Sequence, residues 1–390
     1  MEDIQAKPLI ASESSYKTQT NRQRFRFLDG IRGIACGLVL FHHLYHNSEF
    51  KEALSQIFPS WMDWLATEGA HGVQMFFVLS GFVIAYSIRN LQISAYVAGN
   101  FILRRQLRLD PAYWIVVVAS FADRYLASQA HPLIVNRPTI LQLFLNLSYL
   151  QKITNVPVFV DVSWTLCLEI QFYLLLIIMS GACDRYLGTH AQSIKNGCLQ
   201  VSLFASLAIR SQLTADHDTP WFYGSWYLFA SGVLCCWVLL NRANAMSLFV
   251  FAAMILGLGL YRGDSGCIVG AGTLMAIYAA GRLGKLDKWL LNKPLQYLGK
   301  ISYSVYLVHL LILERVYKFG MHVTSLSKGS ALLWFGVALT MSLIVGHFFY
   351  VLVERPTMRL AERIKIRDFS KLKLLEAHEQ NSVEEAPLKI

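Results

Sequence analysis

The chain has 390 residues, of which 55% are hydrophobic and only 15% are charged, and its mean hydropathy is +0.41. Soluble globular chains carry about 25% charged residues, so the shortage indicates that much of the surface faces lipid. The formal net charge of +10 makes nucleic-acid binding an alternative, but basic loops beside membrane helices explain this charge more simply. The composition excludes an ordinary soluble domain and predicts an integral membrane protein without a nucleic-acid partner.

The N-terminal segment does not have the pattern of a signal peptide. Residues 1–24 are polar and mixed in charge, and no short apolar stretch with a cleavage site follows the first basic residues. We therefore expect a polar cytoplasmic tail, followed by a first apolar run that remains in the protein as a transmembrane helix.

Apolar runs of membrane-spanning length recur along the chain, since a spanning helix needs about 20 mostly apolar residues. The candidate spans are 28–47, 72–89, 111–127, 163–181, 197–210, 221–240, 245–260, 267–281, 296–317 and 331–353. Residues 139–150 are expected to form a further short helix at the membrane interface. The predicted fold is an all-α, polytopic bundle of about ten transmembrane helices, with the membrane domain over residues 25–356.

Lys and Arg are concentrated in alternate loops between these spans. The basic positions are Arg22, Arg24 and Arg26, then Arg89, Arg104, Arg105 and Arg108, then Arg282, Lys285, Lys288 and Lys293, and finally Arg359, Arg363, Lys365 and Arg367. The positive-inside rule assigns such loops to the cytoplasm, so we predict a multi-pass protein of the cytoplasmic membrane with both termini inside. Residues 357–374 are predicted to form a basic juxtamembrane helix, and 375–390 a disordered tail.

Titratable side chains inside a membrane are costly and usually functional, and three of them, from three predicted helices, fall in the outer half of the bundle. Counting along the helices places His43 about 5 Å and Glu169 about 9 Å inside the outer membrane edge, and His309 about 20 Å above the inner edge. This pattern predicts an imidazole base with carboxylate support in the outer half of the bundle. Hydrogen bonding between helices, without any catalytic role, is the alternative for each residue.

Two further histidines flank His43 on the same predicted helix. His42 should point about 100° away from His43, so the two cannot face one site. His46 follows His43 by three residues and should lie on roughly the same face.

A basic loop precedes the third predicted span. Arg105 and Arg108 are three residues apart, so on a helix they would share a face, and guanidinium groups bind phosphates in a bidentate manner. The spacing is consistent with a site for the diphosphate of a nucleotide such as coenzyme A. Simple anchoring at the cytoplasmic surface is the alternative.

Several blocks resemble the acyltransferase family 3 of integral membrane O-acyltransferases. The blocks, in family order, are FRFLDGIRGIACGLVLFHH at 25–43, GVQMFFVLSGFVI at 72–84, RRQLRLDPAYW at 104–114, SWTLCLEIQFYLL at 163–175, LGKISYSVYLVHL at 298–310 and VERP at 353–356. The chain departs from the family pattern at Asp110, where Tyr is common, at Cys167, where Ser is common, and at Ile170, where a second acid is common.

The resemblance implies transfer of an acyl group, often acetyl, from cytoplasmic acyl-CoA to a hydroxyl of a glycan, glycolipid or small molecule. It implies His43 as the base or acyl relay, with Glu169 orienting the imidazole. The remaining expected site residues are Arg105 and Arg108 on the CoA phosphates, Arg32 and Asp29 at the entrance, and Ser80 and His309 lining the pocket. We expect no permanently bound cofactor, no metal and no C-terminal esterase-like domain.

Two other classes of membrane protein also bury His and Glu. A transporter or flippase of a lipid-linked or glycan substrate would more often show an internal repeat with broken helices, which the sequence lacks. A receptor or structural membrane protein would need neither the arginine pair nor the buried imidazole.

Overall fold

The computed structural model describes residues 25–46, 50–130, 136–213 and 219–364. Its α-helices, in chain order, are α1 Arg26–His46, α2 Lys51–Ser55, α3 Ser60–Glu68, α4 Gly72–Ile88, α5 Ala95–Ala130, α6 Ile140–Leu147, α7 Ser163–Tyr186, α8 Ala191–Arg210, α9 Trp226–Leu239, α10 Ala245–Arg262, α11 Ser265–Arg282, α12 Lys293–Val323, α13 Lys328–Phe349 and α14 Arg355–Arg363. The described part of the chain contains no β-strand, which confirms the all-α fold class.

Every predicted span coincides with one of these helices. Within the described residues, five segments are long and apolar enough by themselves to cross a membrane: Arg26–His46, Ser60–Ile88, Ser163–Tyr186, Ala245–Arg262 and Lys328–Arg363. The 14-residue helix α9 is shorter, but every one of its residues is buried. It packs against α4, α8, α10 and α11, so it forms the centre of one half of a membrane helix bundle.

The site described below depends on close packing between α1 and α12. A Cβ atom added at Gly299 of α12 would lie 1.9 Å from the Asp29 carbonyl oxygen of α1, and one at Gly33 would lie 2.3 Å from the Leu295 carbonyl oxygen. Only glycine lets the two backbones approach this closely, as in small-residue contacts between membrane helices. The contact fixes the two helices against each other along their length.

The third span begins much earlier than the sequence indicated. The segment 104–110 was predicted as a loop before a helix over 111–127, but α5 runs without a break from Ala95 to Ala130 and carries Pro111 in its interior. Its first turn is capped by Ser94, whose hydroxyl accepts a hydrogen bond from the Val97 N–H at 3.3 Å. The prediction was wrong because Pro111 and the arginines were interpreted as a boundary, whereas Arg105 pairs with a carboxylate inside the bundle.

The short helix predicted over 139–150 is present as α6, which begins with a capping box between Thr139 and Gln142, and its position at the membrane interface stays a prediction. The chain then folds back into the protein instead of crossing the surface. Asn146, fully buried, donates to the Pro157 carbonyl at 3.1 Å and accepts from the Phe159 N–H at 3.0 Å. These bonds fix the segment that leads into α7.

The last span contains a π-helical turn, Tyr350–Glu354, between α13 and α14. Pro356 follows this turn directly and has no N–H to donate to the Leu352 carbonyl, which favours a change of winding here. Helix α14 corresponds to the start of the predicted juxtamembrane helix. The rest of that helix, the predicted C-terminal tail and the predicted N-terminal tail over 1–24 lie outside the described residues.

Candidate active site

Two imidazole rings face each other across the α1–α12 contact. The ring centroids of His43 and His309 are 5.1 Å apart, and His309 is only 1% exposed. The Nδ1 atom of His309 lies 2.8 Å from the Tyr306 carbonyl oxygen and 3.1 Å from the Val305 carbonyl oxygen. A carbonyl oxygen can only accept, so Nδ1 carries the proton and Nε2 carries the lone pair. We call His43 and His309 the histidine pair.

The other two histidines of α1 lie against different partners. The Nδ1 atom of His42 is 2.8 Å from the Ala66 carbonyl oxygen of α3, so the ring points away from His309, as its position next to His43 predicted. The ring of His46 stacks on His42 with centroids 4.7 Å apart. His46 therefore groups with His42, and the expectation that it accompanies His43 was wrong.

Glu169 is the acceptor in a partly buried polar contact between three helices. Its Oε1 atom accepts from Arg105 Nη2 of α5 at 2.5 Å and from the Ser80 hydroxyl of α4 at 3.3 Å. The side chains of Arg105 and Glu169 are 15% and 20% exposed. The sequence placed Arg105 at the inner surface and Glu169 in the outer half, but the two are in direct contact. That depth estimate was wrong, because α5 carries Arg105 several turns into the bundle.

Further charged side chains surround this contact. Arg108 interacts electrostatically with Arg32, Arg105, Glu354 and Glu169. We call these five residues the arginine–glutamate cluster. Glu354, at the end of the π turn, is only 3% exposed and accepts a hydrogen bond from the Ser304 hydroxyl at 2.6 Å.

The arginines in this cluster differ in their partners. Arg105 is matched by Glu169, whereas neither Arg32 nor Arg108 forms a direct ion pair with any of the described residues. Asp29 lies one turn before Arg32 in the first turn of α1, partly buried, and its backbone carbonyl packs against Gly299.

Hydroxyl groups occupy the space between the cluster and the histidine pair. The Tyr306 hydroxyl lies 2.9 Å from the Thr165 hydroxyl and 3.2 Å from the Val162 carbonyl oxygen. Thr165 is one helical turn from Glu169, and Tyr306 is one turn from His309. The result is a polar column through the bundle, with cations at one level and imidazoles at the other.

The sequence did not identify Ser304, Tyr306, Thr165 and Glu354 as site residues. Helical spacing could have indicated two of them, since Tyr306 precedes His309 by three residues and Thr165 precedes Glu169 by four. Glu354 stands in the VERP block, but its contact with Ser304 depends on the π turn.

Two of the three departures from the family pattern, Asp110 on α5 and Cys167 on α7, have hydrogen-bond partners of their own. The Asp110 carboxylate, 6% exposed, accepts a hydrogen bond from the Tyr149 hydroxyl at 2.9 Å. The Cys167 sulfur lies 3.3 Å from the Gln151 amide nitrogen, which also donates to the Ser163 hydroxyl at 3.0 Å. The folded-back segment after α6 thus supplies both partners.

Comparison with known proteins identifies the family. A family model described as an acyltransferase domain matches residues 25–351. The chain is 28% identical over 373 residues to a protein of Komagataeibacter xylinus that carries the name membrane-bound transacylase BcsY, covering 88% of this chain and 86% of the relative. It is 24% identical over 387 residues to the acyltransferase MdmB of Streptomyces mycarofaciens, covering 87% and 93%. No solved structure gave a significant match. The match over residues 25–351 shows that the chain belongs to acyltransferase family 3 and is a membrane acyltransferase.

Proposed function

We propose that the protein transfers an acyl group, with acetyl as the expected group, from acyl-CoA to a hydroxyl of a glycan, glycolipid or small molecule. The observation that carries the proposal is the polar column, which joins a group of guanidiniums to a pair of imidazoles within one bundle. The names of the two relatives support acyl transfer, while the donor and acceptor are inferred from the chemistry of the site.

The arginine–glutamate cluster supports binding of the CoA diphosphate. Arg32 and Arg108 lack a direct ion pair within the described residues and have Glu354 only as a longer-range partner, so each guanidinium would gain from an anion in direct contact. A diphosphate would supply that charge and the bidentate geometry that guanidinium prefers. Arg105, held by Glu169, would contribute to the field around the phosphates.

The histidine pair supports the chemical step. His43 lies 11 residues from Arg32 on α1, or about 16 Å along the helix, so an acyl arm reaching up the column would bring its thioester to the imidazoles. His43 would take the proton of the acceptor hydroxyl while the oxygen forms a bond to the thioester carbon. The carbon–sulfur bond then breaks, and the CoA thiolate leaves and receives the proton from His43.

Glu169 remains a candidate site residue, but its contacts differ from those that the sequence predicted. Its hydrogen bonds to Arg105 and Ser80 support a role in setting the geometry of the phosphate site. Direct support of His43 by Glu169, as the sequence predicted, stays a prediction.

The basic loops support a cytoplasmic donor site. The Phe27 N–H donates to the Leu286 carbonyl at 2.8 Å, and the Gln296 side chain donates to the Arg26 carbonyl at 2.7 Å. The start of α1, the Lys-rich segment before α12 and the start of α12 therefore lie at one end of the bundle. By the positive-inside rule this end faces the cytoplasm, with both termini inside. A reporter active only outside the cytoplasm, fused to the C-terminus, should give no signal, and a strong signal would contradict this orientation.

The proposed reaction is tested with purified protein in liposomes. Radiolabelled acetyl-CoA should be bound and slowly hydrolysed, and addition of a membrane extract from the native cells should transfer the label to an acceptor. His43→Ala should bind the donor and release no label, which makes it the matched control. If wild-type protein neither binds nor consumes acyl-CoA of any chain length, while a labelled glycolipid crosses the liposome membrane, the protein is a flippase and the proposal fails.

A further inference from the structure

The Nε2 atom of His309 is a buried acceptor that lacks a donor. The residue is 99% buried, since only 1% is exposed, and Nε2 has no hydrogen-bond partner among the described residues. The ring proton is on Nδ1, where it is hydrogen-bonded to two backbone carbonyls of α12. Nε2 therefore carries no proton and can only accept a hydrogen bond. A buried acceptor without a donor is destabilising, so Nε2 requires a hydrogen-bond donor close by.

The neighbouring ring supplies that donor. An N–H···N hydrogen bond of about 2.9 Å between two imidazole edges places the ring centroids about 5 Å apart. The observed separation of His43 and His309 is 5.1 Å, with the ring planes tilted by 43°. At this separation, rotation of the His43 ring can direct one of its nitrogens at Nε2 of His309.

We infer that His309 is a positioning residue that accepts an N–H of His43 and so fixes the tautomer of the catalytic imidazole. This inference rests on the proposed function, in which His43 is the base. With one nitrogen of His43 protonated toward His309, the other nitrogen carries the lone pair for the acceptor hydroxyl. When His43 takes up the hydroxyl proton, the new imidazolium donates to a neutral acceptor, and the hydrogen bond becomes charge-assisted.

Here a neutral imidazole accepts the N–H of the catalytic histidine and fixes its tautomer, as a carboxylate does in other histidine-based catalytic sites. It also agrees with the contacts of Glu169, whose Oε1 atom accepts from Arg105 and Ser80. The tautomer of His43 is then set within the α1–α12 contact, by a residue whose own tautomer is set by its backbone.

The first experiment compares three variants in the native acyl-transfer reaction. His309→Phe keeps the ring size and removes the acceptor, and we expect kcat to fall roughly 10- to 100-fold, as for other residues that orient a histidine, with an unchanged KM for acyl-CoA. His309→Gln offers a carbonyl oxygen near the position of Nε2 and should restore part of kcat. Tyr317→Phe is the control, because it removes a buried 2.7 Å hydrogen bond between the same two helices, to the Leu44 carbonyl, and it should keep wild-type kcat.

Two outcomes of this comparison would overturn the inference. Wild-type kcat in His309→Phe would mean that Nε2 has no role in the reaction. A loss as complete as in His43→Ala, without recovery in His309→Gln, would make His309 itself the base that touches the acceptor hydroxyl.

A second measurement does not depend on which acyl donor the protein uses. Nitrogen-15 NMR of histidine-labelled protein in lipid should show a single tautomer for His43 in the wild type and a different mixture of tautomers in His309→Phe. The same mixture in both proteins would overturn the inference. If acyl-CoA proves not to be the donor, the proposed function fails, but this tautomer test still decides the role of His309.

Discussion

Separate replacement of Arg105 and Arg108 by alanine should distinguish a guanidinium that holds the fold from one that binds the ligand. In Arg105→Ala, the Glu169 carboxylate keeps Ser80 as a donor but loses the cation 2.5 Å away. Breaking a buried ion pair from one side costs about 3–5 kcal/mol. Because the two side chains are 15% and 20% exposed, we expect about 2–3 kcal/mol after allowing for screening. For a chain of this size that lowers the unfolding temperature by roughly 2–4 °C.

Arg108→Ala should behave in the opposite way. Arg108 forms no direct ion pair with the described residues, and its attraction to Glu354 and Glu169 acts at longer range, so the unfolding temperature should fall less than in Arg105→Ala. If Arg108 contacts the CoA phosphates, the loss of a charge-assisted hydrogen bond costs about 1.5–3 kcal/mol. That loss weakens acyl-CoA binding roughly 10- to 100-fold.

The assay needs two measurements on each protein. Tryptophan fluorescence during heating in detergent gives stability, and titration with acyl-CoA in nanodiscs gives affinity. The double variant Arg105→Ala/Glu169→Gln is the control for stability, since it removes the stranded charge and should recover most of the loss in Arg105→Ala. If Arg105→Ala unfolds like wild type and Arg108→Ala binds acyl-CoA like wild type, the division of roles within the cluster is wrong.

Three other changes have defined outcomes. His43→Ala should lower acyl transfer about 10²–10⁴-fold with donor binding retained, whereas His42→Ala should have a small effect, and equal activity of both variants in a transfer assay would contradict the site. Glu354→Gln should tighten acyl-CoA binding several-fold, because a carboxylate near Arg108 repels a diphosphate, and weaker binding in the same titration would show the opposite role. Burial acts to raise the pKa of Asp264, but the Arg210 guanidinium lowers it below the ordinary 3.8. Its contribution to stability is therefore present above that value and lost as the pH falls below it, so Asp264→Asn should be less stable than wild type at neutral pH and show a smaller loss on acidification, as measured by unfolding temperature.

Helix positions followed from the sequence because the bilayer imposes a length and a hydropathy on every span. The extension of α5 did not follow, since Arg105, one of the arginines that suggested a loop, pairs with Glu169, a residue distant in sequence. The facing of His43 and His309 could be expected from their motifs, but the protonation of His309 depends on backbone carbonyls that only the folded helix presents. Hydropathy therefore predicts where the helices lie along the chain, but it does not predict which side chains meet between them.

The π turn at Tyr350–Glu354 makes the number of residues in this segment as important as their identity. Each residue in a helix adds about 100° of rotation, so loss of one residue from the turn would restore regular α winding and swing the Glu354 carboxylate away from Ser304. Substitutions of the apolar residues within the turn leave this geometry in place. Among natural relatives, the segment should therefore vary in composition and be constant in length, and insertions should collect in the loops instead.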